Sequence, residues 1–294
     1  MSILVTYDHS IFSIQEYGGI SRYFVELARH LSYEPDFKVR IVAPVHVSRL
    51  LRKNAFLPLT GIYIPKISKT YRLLQIINNS LSGPLIQRLQ PDIVHSTYYL
   101  SQYRVAESCK RVVTVFDMIH EKFSERMDSF EKTIPEKKKD IVRKADHVIC
   151  ISEQTRRDVI EMLGIDKIKT SVIYLASSVK AQKYQGTSGL DSPYFLYVGS
   201  RQWPKNFKQF VKAFASFNSL YPDVLLVCFG GGRFSPEEID FFRSFHLTEK
   251  QILFFSGDDN QLQHLYCNAL ALVYPCYTKV LAYLSLRPWH AAAL

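Results

Sequence analysis

The chain has 294 residues, with 37 Lys+Arg against 27 Asp+Glu for a formal net charge of +10, and is 47% hydrophobic and 22% charged. These values exclude disordered, collagen-like and low-complexity chains, and the length suits two domains of ordinary size. The longest apolar stretches, around 224–229 and 269–274, fall well short of the roughly 20 residues of a membrane span, and the apolar run from Ile3 meets Asp8 too soon for a secretory signal. A cytoplasmic protein is therefore expected.

Five widely spaced cysteines with no Cys-x-x-Cys pair suggest neither a disulfide framework nor a zinc ribbon. The positive charge points to nucleic acid, an anionic membrane surface or a phosphate-bearing substrate, without choosing among them. Its basic residues are dispersed and its strand aromatics look like core, so nucleic acid is not expected as a partner.

Short β-branched runs alternate with helical patterns from the start: Ile3–Tyr7, Lys38–Ala43, Asp92–His95, Arg111–Phe116, His147–Ile151 and Ser171–Leu175. Several are apolar almost throughout, as strands of a parallel sheet covered on both faces must be. The helix after Ser152 is well punctuated, with Ser152 as N-cap and Gly164 just past its end. From Val179 to Pro193 the apolar pattern stops, which predicts a linker between a domain of residues 1–178 and one of 194–294.

A second series follows: strands Tyr194–Val198, Val224–Phe229, Ile252–Phe255 and Leu270–Tyr274, with helices Phe207–Leu220, Pro236–Phe245 and Asn260–Ala269 between them. The expected fold class is α/β, two tandem Rossmann-like domains with a ligand cleft between the carboxyl ends of their strands. The second domain reads as incomplete.

The first strand-to-helix connection carries Gly18-Gly19, where backbone N–H groups at a helix N-terminus could meet a phosphate; a loop needing positive φ reads equally well. It is not a Gly-x-Gly-x-x-Gly fingerprint, and the next strand runs into Ala43-Pro44 without the acidic residue a nicotinamide cofactor would need. In the second domain, a strand ends in Val198-Gly199-Ser200-Arg201 with Lys205-Asn206 close behind. Arg201 offers a bidentate fork and Lys205 a point charge to a diphosphate. Gly230-Gly231-Gly232 ends the following strand, either letting the backbone pass close to a base or sugar at Gly231 or serving as a plain turn.

The runs Gly19-Ile20-Ser21-Arg22-Tyr23-Phe24, Val112 to Glu121, Ala145 to Ser152, Val198 to Arg201 with Lys205-Asn206, and Leu265-Tyr266 to Tyr274-Pro275 resemble the retaining, nucleotide-sugar-dependent glycosyltransferases of the group 1, two-Rossmann-domain (GT-B) type. The resemblance implies transfer of a hexose, mannose-like, from a nucleotide-sugar to a saccharide or lipid-linked glycan acceptor in polysaccharide synthesis, with no metal or other cofactor. It places Gly19 at the donor diphosphate and makes Arg201 and Lys205 the pair that neutralises the departing diphosphate. The family's usual sugar-contacting His is replaced here by Phe116. Asp117, His120 and Glu121 stand next to it; Asp117 and His120 are the catalytic candidates, and capping of the next helix is the other reading of His120 and Glu121.

After Tyr274-Pro275 the family pattern calls for Glu-Gly-Phe-Gly-Leu-Pro and a second Glu eight residues after the first, but no acidic residue follows Asp259. Thr278 to His290 can be written in codons whose shifted frame spells Glu-Gly-Phe-Gly-Leu-Pro-Ile-Leu-Glu-Ala-Met-Ala. A frameshift near Tyr277 is therefore expected, with residues 278–294 out of frame and the chain truncated. Two alternatives follow: a non-catalytic remnant, or a nucleotide-sugar epimerase of the same architecture. Lys132, Lys137, Lys138, Lys139, Arg143 and Lys144 crowd one helical region, either a peripheral contact with anionic membrane or a solvated helix face.

Overall fold

A computed structural model describes residues 2–67, 70–101, 103–176 and 190–276. The chain divides into two compact units, 1–175 and 176–294. Most of the expected linker, and the expectation of a shifted frame over 278–294, lie outside the described residues.

The first unit is a seven-stranded sheet in the order β3-β2-β1-β4-β5-β6-β7, with every neighbouring pair parallel. Its strands are β1 (Ile3–Tyr7), β2 (Phe37–His46), β3 (Leu59–Tyr63), β4 (Ile93–Ser96), β5 (Lys110–Val115), β6 (His147–Cys150) and β7 (Thr170–Val172). Helices α1 (Gly19–Leu31), α2 (Arg49–Lys53), α3 (Tyr71–Leu89), α4 (Ile119–Lys122), α5 (Ile134–Lys144) and α6 (Glu153–Leu163) connect them. Six strands fall where the sequence pattern puts them. Edge strand β3 was not foreseen, because Pro58 and Gly61 interrupt its apolar run.

Gly61 is needed there: its φ is +156°, and a Cβ would collide with the Ala43 carbonyl. Pro44, which has no N–H to give a ladder, sits where the β2–β3 register shifts between Val42 and Val45. Helix α6 is punctuated as expected: Ser152 Oγ accepts the Thr155 N–H at 3.1 Å, and Gly164 takes φ +68°.

The second unit is a parallel sheet ordered β10-β9-β8-β11 among the described residues: β8 (Tyr194–Val198), β9 (Leu225–Phe229), β10 (Ile252–Phe255) and β11 (Ala271–Leu272). Helices α7 (Phe207–Asn218), α8 (Pro236–Arg243) and α9 (Asp259–Asn268) cover it. One core, with Tyr197, Val211, Phe214 and Phe242, lies on one face of this sheet; another, with Tyr194, Leu196, Val227 and Leu265, lies on the other. Burial on both faces explains why these strands read as continuous apolar runs. In each sheet the strand order reverses once, between β1 and β4 and between β8 and β11. Open α/β sheets of this kind bind ligands beyond the carboxyl ends of their strands.

Candidate functional site

In the second unit, the turns leaving β8 and β9 lie against each other. Gly199 donates its N–H to the Phe229 carbonyl at 2.9 Å, and Gly230 donates to Phe255 at 2.9 Å. Gly199, Gly230, Gly231 and Gly232 all have positive φ. At Gly231 the approach is closest, since a Cβ would stand 2.5 Å from the Gly199 oxygen and 3.2 Å from Arg201 Nη1.

Arg201 is 4% exposed along its side chain. Its Nε donates to Glu238 Oε1 at 2.7 Å, Nη2 to Glu238 Oε2 at 3.1 Å and to the Arg233 carbonyl at 3.0 Å, and Nη1 to the Gly230 carbonyl at 3.1 Å. The guanidinium also lies over the Phe234 ring, 4.8 Å from its centroid. The fork that the sequence offered to a diphosphate is thus occupied by Glu238 and two carbonyls, as a guanidinium this buried requires. Glu238 also accepts the Ser235 N–H at 2.9 Å as part of a capping box on α8. Burial pushes the Glu238 carboxyl up, but the Arg201 and Ser235 hydrogen bonds together with the Arg201 charge outweigh it and hold the group below the usual range. Sequence reading missed Glu238; the Ser235-x-x-Glu238 box was its only signal.

Lys205 is placed differently. Its Nζ lies so close to Gly199 that a Cβ there would stand 2.7 Å away, and it faces the Tyr274 ring at 5.4 Å. It forms no ion pair among the described residues, and burial pulls its ammonium below the ordinary lysine value. A cavity of about 850 Å³ opens beside this turn, lined among others by Arg201, Gln202, Asn206, Gly231 and Glu238.

In the first unit, Gly19 is the first residue of α1. Gln15 Oε1 accepts the Ser21 N–H at 3.2 Å, and a Cβ on Gly18 would displace that carboxamide. Four residues into α1, Tyr23 meets the Phe116 ring edge-on at 5.4 Å, tying the helix start to the end of β5. Phe116 is buried there against aromatic rings.

Asp117 uses Oδ1 to accept the Ile119 N–H at 3.1 Å, starting α4. Its carbonyl accepts Lys138 Nζ at 2.9 Å, and the same ammonium pairs with Glu121 Oε2 at 2.9 Å. Lys138 and Glu121 expose 1% and 7% of their side chains. Lys138 is therefore no part of a solvated or membrane-facing basic surface, which corrects the reading of its run; the polar end of β5 draws it inward. His120 Nδ1 is buried without a hydrogen-bond partner, and burial, reinforced by the Lys138 charge, lowers its pKa.

Across the β1–β4 switch point, Asp8 accepts from the Ser10 N–H, the Thr97 N–H and hydroxyl, and the Tyr103 hydroxyl. Beside it, His9 is fully buried, its Nδ1 2.9 Å from Ser82 Oγ and its Nε2 without a partner. Neither residue was singled out in the sequence, where nothing marks their burial.

The Glycosyltransferase Family 4 model matches residues 17–176 and the Glycosyl transferases group 1 model residues 178–283. No curated protein matches the sequence. Among solved structures, the chain is similar to WaaG, a glycosyltransferase involved in lipopolysaccharide biosynthesis (15% identity, TM-score 0.69, 96% of this chain and 78% of that one). It is also similar to a glycosyltransferase from Rickettsia africae ESF-5 (16%, 0.59, 94% and 73%) and to a putative UDP-N-acetylglucosamine 2-epimerase from Listeria monocytogenes (13%, 0.62, 92% and 74%). At such identities these likenesses concern the fold; the two family matches, which run in order along the chain, place it in the group 1 glycosyltransferases of GT-B type.

Proposed function

We propose that the chain serves transfer of a hexose, mannose-like, from a nucleotide-sugar to a saccharide or lipid-linked glycan acceptor in polysaccharide synthesis, with retention of configuration and without a metal. Lys205 carries this reading: a half-buried cation with no ion pair among the described residues, held against Gly199 in the turn where β8 ends. In the transfer, the bond from the anomeric carbon to the diphosphate oxygen breaks and its electron pair leaves with the nucleoside diphosphate. The acceptor oxygen bonds to the same carbon, and its proton passes to the leaving phosphate oxygen. A fixed ammonium at that oxygen offsets the developing charge.

Arg201 acts in this scheme through Gly230 and Gly231, which it positions. Gly19 contributes backbone N–H groups at the start of α1, where an anion is favoured. Asp117 and His120 shape the acceptor side at the end of β5, His120 as a neutral imidazole at pH 7.

Titration calorimetry of the full chain with UDP and GDP tests the donor site: one of them should bind, and Lys205→Ala should abolish the heat. Binding unchanged in that variant, or absent in both proteins, sinks the reading. Radiolabelled nucleotide-sugar incubated with and without acceptor then separates the outcomes. Label in the acceptor means transfer, an isomerised sugar without acceptor means epimerisation, and binding with neither means a non-catalytic chain.

A further inference from the structure

Strands β4 and β5 are parallel neighbours, and a connection between such strands ordinarily carries a helix across one face of the sheet. Here the connection, residues 97–109, forms no helix among the described residues. It keeps instead to α3: Val105 packs with Ile86 and Val94, and Tyr103 lies against Gly83, where a Cβ would stand 3.2 Å from the Tyr103 Cβ. The Tyr103 hydroxyl donates to Asp8 Oδ2 at 3.2 Å, which pins the segment on that side. Between this segment and α5 the sheet is left uncovered, and a cavity of about 750 Å³ stands there, within the range of small-molecule sites.

The floor of the cavity is one face of the sheet, Val94 and Ser96 on β4 and, in register with them, Arg111 and Val113 on β5. Helix α5 walls it with Ile141 and Lys144 and ends at Lys144, just before β6 begins. Arg111 and Lys144 therefore lie toward the amino ends of the strands, away from the carboxyl ends where sheets of this kind take their substrates. Arg104 is exposed and Arg111 half-buried, and neither guanidinium has an ion pair among the described residues. The acid in the wall, Asp140, is already met by Lys144 at 2.7 Å.

We propose that this cavity binds a sugar phosphate monoester, its phosphate held by Arg104 and Arg111 and its sugar laid against Val94, Val113 and Ile141. Two forked cations call for a dianion, which a monoester near neutral pH supplies and a single carboxylate does not. A floor of methyl groups edged by the Ser96 hydroxyl and the Asp140 carboxylate suits a ring with apolar faces and hydroxyl edges; a plain hydrocarbon chain would use neither polar group.

The site is independent of the transfer reading, because its binding is measured without nucleotide-sugar or acceptor. The full chain is titrated calorimetrically with glucose 6-phosphate, mannose 6-phosphate and glucose 1-phosphate, and with inorganic phosphate and glucose as the two halves of such a ligand. At least one sugar phosphate should bind, on the order of tenfold more tightly than either half. Arg104→Gln/Arg111→Gln should weaken that binding on the order of tenfold or more. Arg126→Gln/Arg157→Gln, which removes as much charge from exposed positions elsewhere, and Lys205→Ala in the second unit should each leave it within about twofold. Thermal melts check the fold of each variant, and Arg104→Gln alone, at an exposed position, carries the test if the double variant does not fold. The proposal is overturned if no sugar phosphate binds, or if inorganic phosphate or glucose binds as tightly as the best of them. It is equally overturned if both arginine pairs lose binding alike, or if Lys205→Ala loses it and the Arg104 and Arg111 variants keep it.

Discussion

Arg201 and Glu238 form a two-point ion pair, Nε to Oε1 at 2.7 Å and Nη2 to Oε2 at 3.1 Å, that joins the turn after β8 to the first turn of α8. Through Nη1 the same guanidinium holds the Gly230 carbonyl, so one pair fixes both glycine turns of the second unit. Removing the carboxylate leaves a 4% exposed guanidinium short of an acceptor and breaks the α8 capping box. A fully buried pair broken this way costs about 3–5 kcal/mol; with 24% of the Glu238 side chain exposed, roughly 2 kcal/mol is expected for Glu238→Ala. Glu238→Gln, which keeps an acceptor for Ser235, should cost about half as much. Urea unfolding measures both, and a fully stable Glu238→Ala chain contradicts this role.

Gly231 and Gly232 differ in what a side chain would meet. Gly231→Ala would set a Cβ 2.5 Å from the Gly199 oxygen, whereas Gly232→Ala meets nothing within 4 Å. Both pay the strain of positive φ, about 1–2 kcal/mol. Only Gly231→Ala should also move the Gly199 turn and weaken nucleoside diphosphate binding; comparing the two variants by calorimetry separates backbone strain from close approach.

How much of this was legible beforehand follows from the physics of each element. Buried parallel strands announce themselves as apolar runs, and β8 and β10 fall on the expected residues. The caps Ser152 and Gly164 are equally readable, because their chemistry is local. Edge strand β3 and the buried side of α3 were not readable, since partners distant in sequence specify them: the Ala43 carbonyl lies over Gly61, and the Asn78 carboxamide exchanges two hydrogen bonds with the Val45 backbone. At the site, Lys205 and Arg201 look alike in sequence. Only the position of Glu238, thirty-seven residues beyond Arg201, makes one a clamp and leaves the other without an ion pair among the described residues.

Lys205 sets a pH dependence. Burial lowers its folded-state pKa from 10.5, so between the lowered value and 10.5 the unfolded chain binds more protons than the folded one. Stability from this group therefore rises with pH across that window and is flat below it. Diphosphate binding runs the other way, because the anion needs the ammonium: affinity for UDP or GDP should fall as pH climbs through the lowered pKa, before 10.5 is reached. Lys205→Arg, whose guanidinium stays charged, should remove that alkaline fall where it still binds. An affinity flat to pH 10 in the parent chain contradicts the assignment.

Acid should loosen the first unit well above the carboxylate range. Burial lowers His46 and His95 to about 4 and pulls His9 and His120 down as well. Each group binds its proton in the unfolded chain before the folded one, so no penalty acts above pH 6.5 and it grows as pH falls from 6.5 toward the folded value. At pH 5 that is about 2 kcal/mol for each of His46 and His95, at 1.36 kcal/mol per unit. Denaturation midpoints at pH 7 and 5 measure the loss; equal midpoints would show that these imidazoles are not held neutral.

Lys138 and Glu121 give the sharpest test of the first unit's interior. The pair is almost wholly buried at 2.9 Å, Lys138 also donates to the Asp117 carbonyl, and Glu121 Oε1 has no partner. Lys138→Met strands a buried carboxylate and should cost about 3–5 kcal/mol. Lys138→Met/Glu121→Leu removes both charges and should recover most of that loss, since desolvating the pair offsets much of its attraction. The double variant still lacks the bond to the Asp117 carbonyl, so the start of α4, and His120 with it, should be freer. Hydrogen exchange at the Ile119 amide reads this directly, because Asp117 Oδ1 holds that N–H at 3.1 Å. Faster exchange with restored global stability separates positioning of the β5 end from simple support of the fold; unchanged exchange assigns Lys138 to stability alone.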